Sequence, residues 1–265
     1  MKKDHHYISI DYYAYQSGMT HWNASCKAAF AVAVLFLVIA LDNPIVCILT
    51  FCYMTYMSLA VGKTRIRDYL HLLTVPAVFI LIGALTILFQ FGSGRDSIWK
   101  IPFFSIYMYV TSDSLSLAMH VIMKAFSAVT ALYMLTLSTP MGEIISVFRR
   151  IHVPPVILEL MYLIYRYIFI LTEIHQKQKD ASISRLGYNG FATSLRTFGS
   201  EMANMLILSM KKAEIYYDSM EARGYDGTVL FLEETEPVCA RQIGYVIFYV
   251  FLLIGVLTVQ KFGYV

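Results

Sequence analysis

Charged residues are scarce in this chain of 265 residues. Asp, Glu, Lys and Arg make up 15% of it, hydrophobic residues make up 58%, and the mean hydropathy is +0.59. So few charges cannot cover the surface of a soluble domain of this size, which excludes that class of protein. The net charge of +3 gives no support to a nucleic-acid partner. The composition predicts an integral membrane protein whose surroundings are the lipid bilayer.

Sequence patterns for catalysis and for metal or nucleotide binding are also lacking. No His-Glu-x-x-His or Ser-His-Asp pattern is visible. Gly62-Lys63-Thr64 resembles the end of a phosphate-binding loop, but Met57 stands where that loop needs a glycine. The four cysteines, none of them in a paired metal-ligand spacing, are Cys26, Cys47, Cys52 and Cys239. We therefore expect no catalytic residue, no metal site and no cofactor in this chain.

Five apolar stretches predict membrane-spanning helices. A helix needs roughly 20 residues to cross the hydrocarbon core, and each stretch approaches that length. The stretches are Ala28–Leu41, Ile45–Val61, Leu72–Phe91, Leu115–Leu137 and Ile243–Gln260. The aromatic-rich connection between the third and fourth stretches, from Gly92 to Asp113, is predicted to be an interfacial loop.

The region from Pro140 to Pro237 is neither apolar enough for lipid nor plain linker, and we call it the arm. Its patterns predict a short amphipathic helix over 142–153, a second helix over 156–187 and a third over 194–224. The predicted fold class is therefore an all-α integral membrane protein, with about five transmembrane helices and an arm of two to three helices. The predicted domains are a membrane domain over 1–138, the arm over 139–240, and a last transmembrane helix over 241–265.

Three ionisable residues lie in apolar surroundings. Lys124 falls inside the fourth predicted span, where a charge is costly, so it should face the interior of the bundle. A structural ion pair, a snorkelling side chain and a role in transport all remain open for it. Glu159 and Arg166 lie two turns apart on one face of the second arm helix, where they are candidates for pairing helices.

The third arm helix carries apolar residues at helical spacing. We interpret them as a packing face or as an adaptable docking face, for which methionine is well suited. They are Met202, Met205, Leu206, Met210, Ala213 and Tyr217.

The second and third arm helices are predicted to end in the same way. Arg185 lies in Ser184-Arg185-Leu186-Gly187-Tyr188, and Arg223 lies in Ala222-Arg223-Gly224-Tyr225. We expect the glycine of each motif to take the left-handed conformation that stops a helix. For a single arginine the helix dipole, worth about 0.3–1 kcal/mol, is a sufficient explanation. Because the arrangement is repeated, we predict a binding role for Arg185 and Arg223 with Ser184, Gly187, Ala222 and Gly224.

The distribution of basic residues predicts the orientation in the membrane. Seventeen of the 21 lysines and arginines fall on one side of the predicted spans, in the N-terminal segment, the 63–67 turn and the region from Pro140 to Arg241. Only Arg95, Lys100 and Lys261 fall on the other side. By the positive-inside rule the N-terminus and the arm are cytoplasmic, in a multi-pass protein of the cell membrane.

The arm resembles that of the transmembrane T component of energy-coupling factor (ECF) transporters, the EcfT/CbiQ family. The resemblance covers nearly the whole chain and is specific in the arm. The motifs that carry it are Glu221-Ala222-Arg223-Gly224-Tyr225-Asp226-Gly227, the departing first motif Ser184-Arg185-Leu186-Gly187, Thr136-Leu137-Ser138-Thr139-Pro140-Met141, and Val153-Pro154-Pro155 followed by Tyr165-Arg166-Tyr167-Ile168-Phe169. The Thr-Pro-Met and Pro-Pro sequences and the long loop before the fourth span resemble the cobalt and nickel branch, CbiQ, more than the vitamin branch.

The resemblance implies a coupling subunit of an importer and not an enzyme. Two copies of an ABC ATPase would bind the arm and hold the ATP, and the chain would link them to a separate substrate-binding membrane subunit. In that scheme each arginine lies in an ATPase groove, where its planar fork pairs with a carboxylate. Cobalt or nickel is the expected cargo.

Three other functions compete with this interpretation. A T component shared by several vitamin-binding subunits has the same general motifs. A stand-alone channel or secondary transporter needs polar residues that converge at the midplane, and Lys124 alone is thin support. An intramembrane enzyme needs a catalytic pair, which we do not find. Co-purification of ATPases favours the coupling subunit, whereas transport by the chain alone in liposomes contradicts it.

The predicted orientation can be tested by labelling single cysteines introduced along the chain. Cysteines at the positions of Lys177 and Lys211 should react only with reagents that reach the cytoplasm, and one at Asp96 should react from outside. An external arm would overturn both the orientation and the coupling role.

Overall fold

The structure is a computed structural model that describes residues 10–91, 99–103, 106–226 and 237–263. Within these residues the chain forms mainly helices, and α3 continues into a π-helical turn, Met57–Val61. The helices are α1 (Ile10–Gln16), α2 (Ala24–Leu41), α3 (Pro44–Tyr56), α4 (Ile66–Leu88), α5 (Ser112–Thr136), α6 (Met141–Arg150), α7 (Pro155–Ser184), α8 (Phe191–Glu221) and α9 (Ala240–Gly263). The all-α class predicted for the chain is confirmed.

A short β-sheet occupies part of the connection predicted as an interfacial loop. Its strands are β1 (Gln90–Phe91), β2 (Trp99–Phe103) and β3 (Ile106–Val110), and all pairing is antiparallel in the order β1-β3-β2. Aromatic and β-branched residues are common in this stretch and favour extended backbone. Residues 92–98 and 104–105 of the predicted loop lie outside the described residues.

The chain divides into two compact units. The first, which we call the membrane unit, comprises Met1–Ile144 and Thr235–Val265, and the second, the arm unit, comprises Ile145–Glu234. The boundary between them falls within α6. Each unit is described separately below.

Six helices are long and apolar enough to cross a membrane. Five of them are the predicted spans, and all of these begin earlier in the chain than the hydropathy pattern alone predicted: α2, α3 with its π-helical turn, α4, α5 and α9. The protein is therefore a multi-pass membrane protein. The sixth is α7, by length and composition only, and the sequence pattern assigns it to the arm.

Asparagine side chains start the first two spans. The Asn23 side-chain oxygen accepts from the amides of Ser25 and Cys26 at 3.0 and 3.3 Å, which satisfies donors that a helix start leaves unpaired. Asn43 does the same for Ile45 at 3.1 Å. The left-handed backbone of Asp42, with φ 44°, completes the reversal between α2 and α3.

The core of the membrane unit lies between α2, α3, α5 and α9. Its buried apolar residues include Phe30, Val34, Val38, Met54, Ala131, Met134, Tyr249 and Leu253. Hydrogen bonds join polar side chains of this core at two places: Thr50 Oγ1 lies 2.9 Å from Tyr249 Oη, and Tyr53 Oη donates to the Tyr245 carbonyl at 2.7 Å. Such pairing is favourable because lipid offers no alternative hydrogen-bond partners.

Lys27, in the first turn of α2, is the most deeply buried charge of the membrane unit. Its ammonium donates to the carbonyls of Met19 and Ser138 at 3.2 and 2.9 Å, and to Glu143 Oε2 at 3.1 Å. Near Glu143 in the chain, the Met141 amide donates to the Asp11 carboxylate at 3.1 Å. Lys27 and Asp11 therefore join α1, α2 and the end of α5 to the start of α6.

The Lys27 contacts predict a large effect of removing the ammonium. Lys27→Met removes three hydrogen bonds, two to carbonyls and one to a partly buried carboxylate, so we expect a loss of about 2–4 kcal/mol in stability. The apparent Tm of the purified chain in detergent measures the effect. Arg67→Met, at an exposed position of α4, is the matched control and should change the apparent Tm little. Equal, small effects of both substitutions would contradict a structural role for Lys27.

Candidate functional site

Residues 182–187, which we call the first arginine turn, end α7 in a Schellman motif. The Gly187 amide donates back to the Ser182 carbonyl at 2.8 Å, across five residues. Leu186 takes the left-handed conformation, with φ 57°. Arg185 is the residue directly before it and is exposed.

Residues 220–224, the second arginine turn, end α8 in the same motif. The Tyr225 amide donates to the Met220 carbonyl at 3.1 Å, and Gly224 is left-handed, with φ 81°. Arg223 again directly precedes the left-handed residue and is exposed. Arg185 and Arg223 therefore occupy equivalent positions of two equivalent turns, although their sequence motifs differ.

The expectation that a glycine supplies the left-handed residue is right for Gly224 and wrong for Gly187. In the first arginine turn Leu186 takes that conformation, and Gly187 lies one residue later. Gly187 is needed for space, because a Cβ there would lie 3.0 Å from the Ser182 carbonyl oxygen and from Thr197 Cγ2. Thr197 Oγ1 also donates to the Gly187 carbonyl at 2.7 Å, which joins the turn to α8.

The other predicted residues of the two motifs belong to the helix ends. Ser184 Oγ donates to the Asp180 carbonyl at 2.9 Å, and the Ala222 amide donates to the Asp218 carbonyl at 2.9 Å. Within the part of the chain that the structure describes, neither Arg185 nor Arg223 has an ion pair. Both guanidinium groups are thus available to a partner.

Each arginine turn is followed by a tyrosine that bonds a buried glutamate. Tyr188 Oη donates to Glu201 Oε2 at 2.7 Å, and Tyr225 Oη donates to Glu159 Oε2 at 3.3 Å. The glutamates are 5% and 8% exposed. The sequence predicts a role for Glu159 but not its partner, and Tyr188, Glu201 and Tyr225 were not predicted as site residues. The signal that was available is the tyrosine directly after the glycine in both motifs.

Hydrogen bonds and nearby charges lower the pKa of the carboxylate in the first pair. Burial raises the pKa of Glu201, but the hydroxyls of Ser182 and Tyr188, with the charges of His175 and Lys179, outweigh burial and hold the pKa below its usual value. The hydrogen bond to Glu201 in turn raises the pKa of Tyr188. A hydroxyl that donates to an ionised carboxylate makes a stronger bond than one between neutral groups.

The two predicted helix-pairing residues of α7 both contact residues that follow α7 in the chain. Glu159 accepts from Tyr225, as described. Arg166 places its guanidinium carbon 5.4 Å from the centre of the Tyr216 ring, a cation–π contact, and Tyr167 packs edge-on against the same ring at 5.3 Å. These contacts tie the N-terminal half of α7 to the C-terminal half of α8.

Lys124 forms an ion pair in the membrane unit. Its Nζ lies 2.5 Å from Asp42 Oδ1, in the turn between α2 and α3, and His120 Nδ1 lies 3.9 Å from the same oxygen. The hydrogen bond from Lys124 holds the pKa of Asp42 below its usual value. Of the interpretations left open for Lys124, this geometry favours the structural ion pair. No cluster of three or more potential metal-ligating side chains is found among the described residues.

Comparison with known proteins identifies the family. The model of the CbiQ family, described as cobalt transport protein, matches residues 16–234. The chain belongs to the CbiQ family. It is thus a membrane component of a cobalt transport family. This family is not known as a family of enzymes.

Curated relatives of this CbiQ-family chain come from archaea and bacteria. An uncharacterized protein of Methanocaldococcus jannaschii is 29% identical over 92% of this chain and 91% of its own length. A putative fused cobalt transport protein, CbiMQ, of Methanocorpusculum labreanum is 29% identical over 95% of this chain, which spans 42% of the fused protein. The cobalt transport protein CbiQ of Salmonella typhimurium is 22% identical over 71% of this chain and 84% of its own.

Two Gly→Ala substitutions, one at the left-handed Gly224 and one inside α8, should have opposite effects on the stability of this CbiQ-family chain. Gly224→Ala forces a Cβ into a left-handed conformation and should lower stability by about 1 kcal/mol. Gly199→Ala, in the interior of α8 where a Cβ meets nothing within 4 Å, should raise stability by about 0.5–1 kcal/mol. The apparent Tm in detergent measures both, and shifts of the same sign would contradict the described end of α8.

Proposed function

We propose that this chain is the transmembrane coupling subunit of an ECF-type ABC importer. It links two cytoplasmic ATPases to a substrate-binding membrane subunit, and the cargo is cobalt or nickel. The ATPases hold the ATP, and this chain passes their movement to the membrane partner. The N-terminus and the arm lie in the cytoplasm, as the distribution of basic residues predicts.

The observation that carries the proposal is the pair of equivalent, exposed arginines: Arg185 at the end of α7, before α8 begins, and Arg223 just after the end of α8. Tyr225 contacts Glu159 near the start of α7, and Gly187, just after the end of α7, contacts Thr197 near the start of α8. α7 and α8 thus form an antiparallel hairpin, and α8 has 31 residues. At 1.5 Å per residue its ends are about 45 Å apart. Two arginines so far apart suit two copies of one ATPase better than a single groove.

Helix capping alone is a weaker explanation of the two arginines. A cation near a helix C-terminus interacts with the helix dipole whether or not a partner binds it. That interaction is worth only about 0.3–1 kcal/mol. A guanidinium that enters a carboxylate-lined groove makes a bidentate pair, which a lysine could not replace. The two turns carry their arginines on equivalent backbone, as expected when two copies of one partner bind.

The exposed apolar face of α8 supports a second contact, with the membrane partner. Phe191, Leu206 and Met210 are all well exposed, and Phe191 is 88% exposed. An exposed set of large apolar side chains is typical of an interaction surface, and methionine adapts to more than one partner. The fusion that the name CbiMQ describes in one relative supports a membrane partner for this chain as well.

Charge reversal of both arginines tests the proposal. The chain is expressed with metal-type ATPase and substrate-binding subunits, and two quantities are measured: co-purified ATPase and uptake of radioactive cobalt or nickel by cells. Each arginine that loses its carboxylate partner leaves that charge unpaired, at a cost of about 2–5 kcal/mol of binding. R185E with R223E should therefore abolish both readouts, while the amount of chain in the membrane stays near normal.

The matched control is K177E with K211E, which makes the same charge change on α7 and α8. Both lysines are exposed, and the Lys177 pair with Glu173 is an i,i+4 surface pair worth about 0.3–0.5 kcal/mol. The control should retain ATPase binding and uptake. A double arginine variant that assembles and transports like the wild type would overturn the proposal. Uptake of vitamins alone, with several binding subunits, would reassign the chain to the shared branch.

A further inference from the structure

The buried side chains of the arm unit are unexpectedly polar. Among its described residues, 145–226, four side chains are buried: Ile145, Leu158, Glu159 and Glu201. Burial of a carboxylate is unfavourable unless hydrogen bonds compensate it. The two glutamates therefore need an explanation, and each of them accepts a hydrogen bond from the tyrosine that follows an arginine turn.

The first pair holds its turn from both sides. Glu201 lies on α8 and accepts from Tyr188, directly after the turn, while Ser182, whose carbonyl closes the turn, lowers the pKa of the same carboxylate. Tyr188 is half-buried, whereas Arg185 is exposed. The tyrosine thus directs one end of the turn inward and leaves the arginine outside.

The second pair acts over a longer stretch of chain. Tyr225 lies 66 residues after Glu159, so this bond joins the end of α8 to the first turns of α7. Tyr225 is half-buried and Arg223 is exposed, as at the first turn. The bond therefore restrains the end of α8, where hydrogen bonds within a helix fray readily.

We propose that Tyr188 and Tyr225 are positioning residues, which fix the direction of Arg185 and Arg223 by bonding their hydroxyls to Glu201 and Glu159. The proposal rests on the proposed function, because the direction of the arginines matters only if a partner binds them. A freely moving turn would have to be ordered when the ATPase binds, and that ordering lowers affinity. The alternative is that the pairs only stabilise the α7–α8 hairpin, independently of the arginines.

A double-mutant cycle separates these two roles. The probe is the ATPase that co-purifies with the wild-type chain, and its dissociation constant is measured in detergent for Y188F and Y225F. Loss of the tyrosine hydrogen bond predicts about 10-fold weaker binding for each. In the R185A background Y188F should add less than about 2-fold, and so should Y225F in the R223A background, because a positioning residue acts through its arginine.

Glutamate variants and a tyrosine control complete the cycle. E201Q and E159Q keep an oxygen that can accept from the tyrosine, so they should bind the ATPase within about 3-fold of the wild type. E201L and E159L remove the acceptor and should behave like the phenylalanine variants. Y56F, at an exposed position of α3, is the control and should have no effect. Equal losses with and without the arginines would overturn the proposal.

Hydrogen–deuterium exchange of the chain alone gives a readout that does not depend on the ATPase. In Y188F the amides of 187–189, and in Y225F those of 224–226, should exchange about 10-fold faster, because the turn opens more often. Amides in the middle of α8 should not change. If the wild type binds no ATPase, the proposed function fails, and the exchange result alone decides the positioning role. Unchanged exchange in the phenylalanine variants would overturn that role.

Discussion

The contact that the membrane unit depends on most is the hydrogen bonding of the Lys27 ammonium. An ammonium has three N–H donors, and here all of them are used, by two carbonyls and one carboxylate. The acceptors belong to two segments that are distant from each other in sequence: one holds Met19, and the other holds Ser138 and Glu143. A buried charge that is fully satisfied in this way permits one arrangement of these segments and penalises others. The position from which α6 starts is therefore set by α2 and α5.

The arm unit is stabilised differently, because it has almost no apolar core. α7 and α8 contact each other through polar and aromatic pairs placed along the hairpin: Tyr188 with Glu201, Arg166 with Tyr216, and Tyr225 with Glu159. A two-helix unit of this kind leaves most of its apolar side chains exposed. That exposure is unfavourable for an isolated domain, but it is suitable for a subunit whose surfaces are completed by partners.

The spans and the helices of the arm could be predicted from the sequence because their signals are local. Hydropathy over about 20 residues identifies a span, and Pro154-Pro155 marks the start of α7. The pairs could not be predicted, since Glu159 and Tyr225 are 66 residues apart and no pattern within either helix specifies the other. The Lys124 ion pair with Asp42 was open for the same reason. The extended backbone of β1 to β3 was missed because aromatic residues also suit a membrane interface.

The left-handed Leu186 has a consequence for the comparison of related sequences. An alignment of the two arginine motifs normally matches the invariant-looking glycines, Gly187 with Gly224. The backbone instead matches Leu186 with Gly224, since both have positive φ, and Gly187 with Tyr225. Alignment on glycine therefore shifts the first motif by one residue and places Arg185 out of register with Arg223. A search for further family members should use the number of residues from the arginine to the amide that closes the turn. Gly187 and Tyr225 donate these amides, and each lies two residues after its arginine.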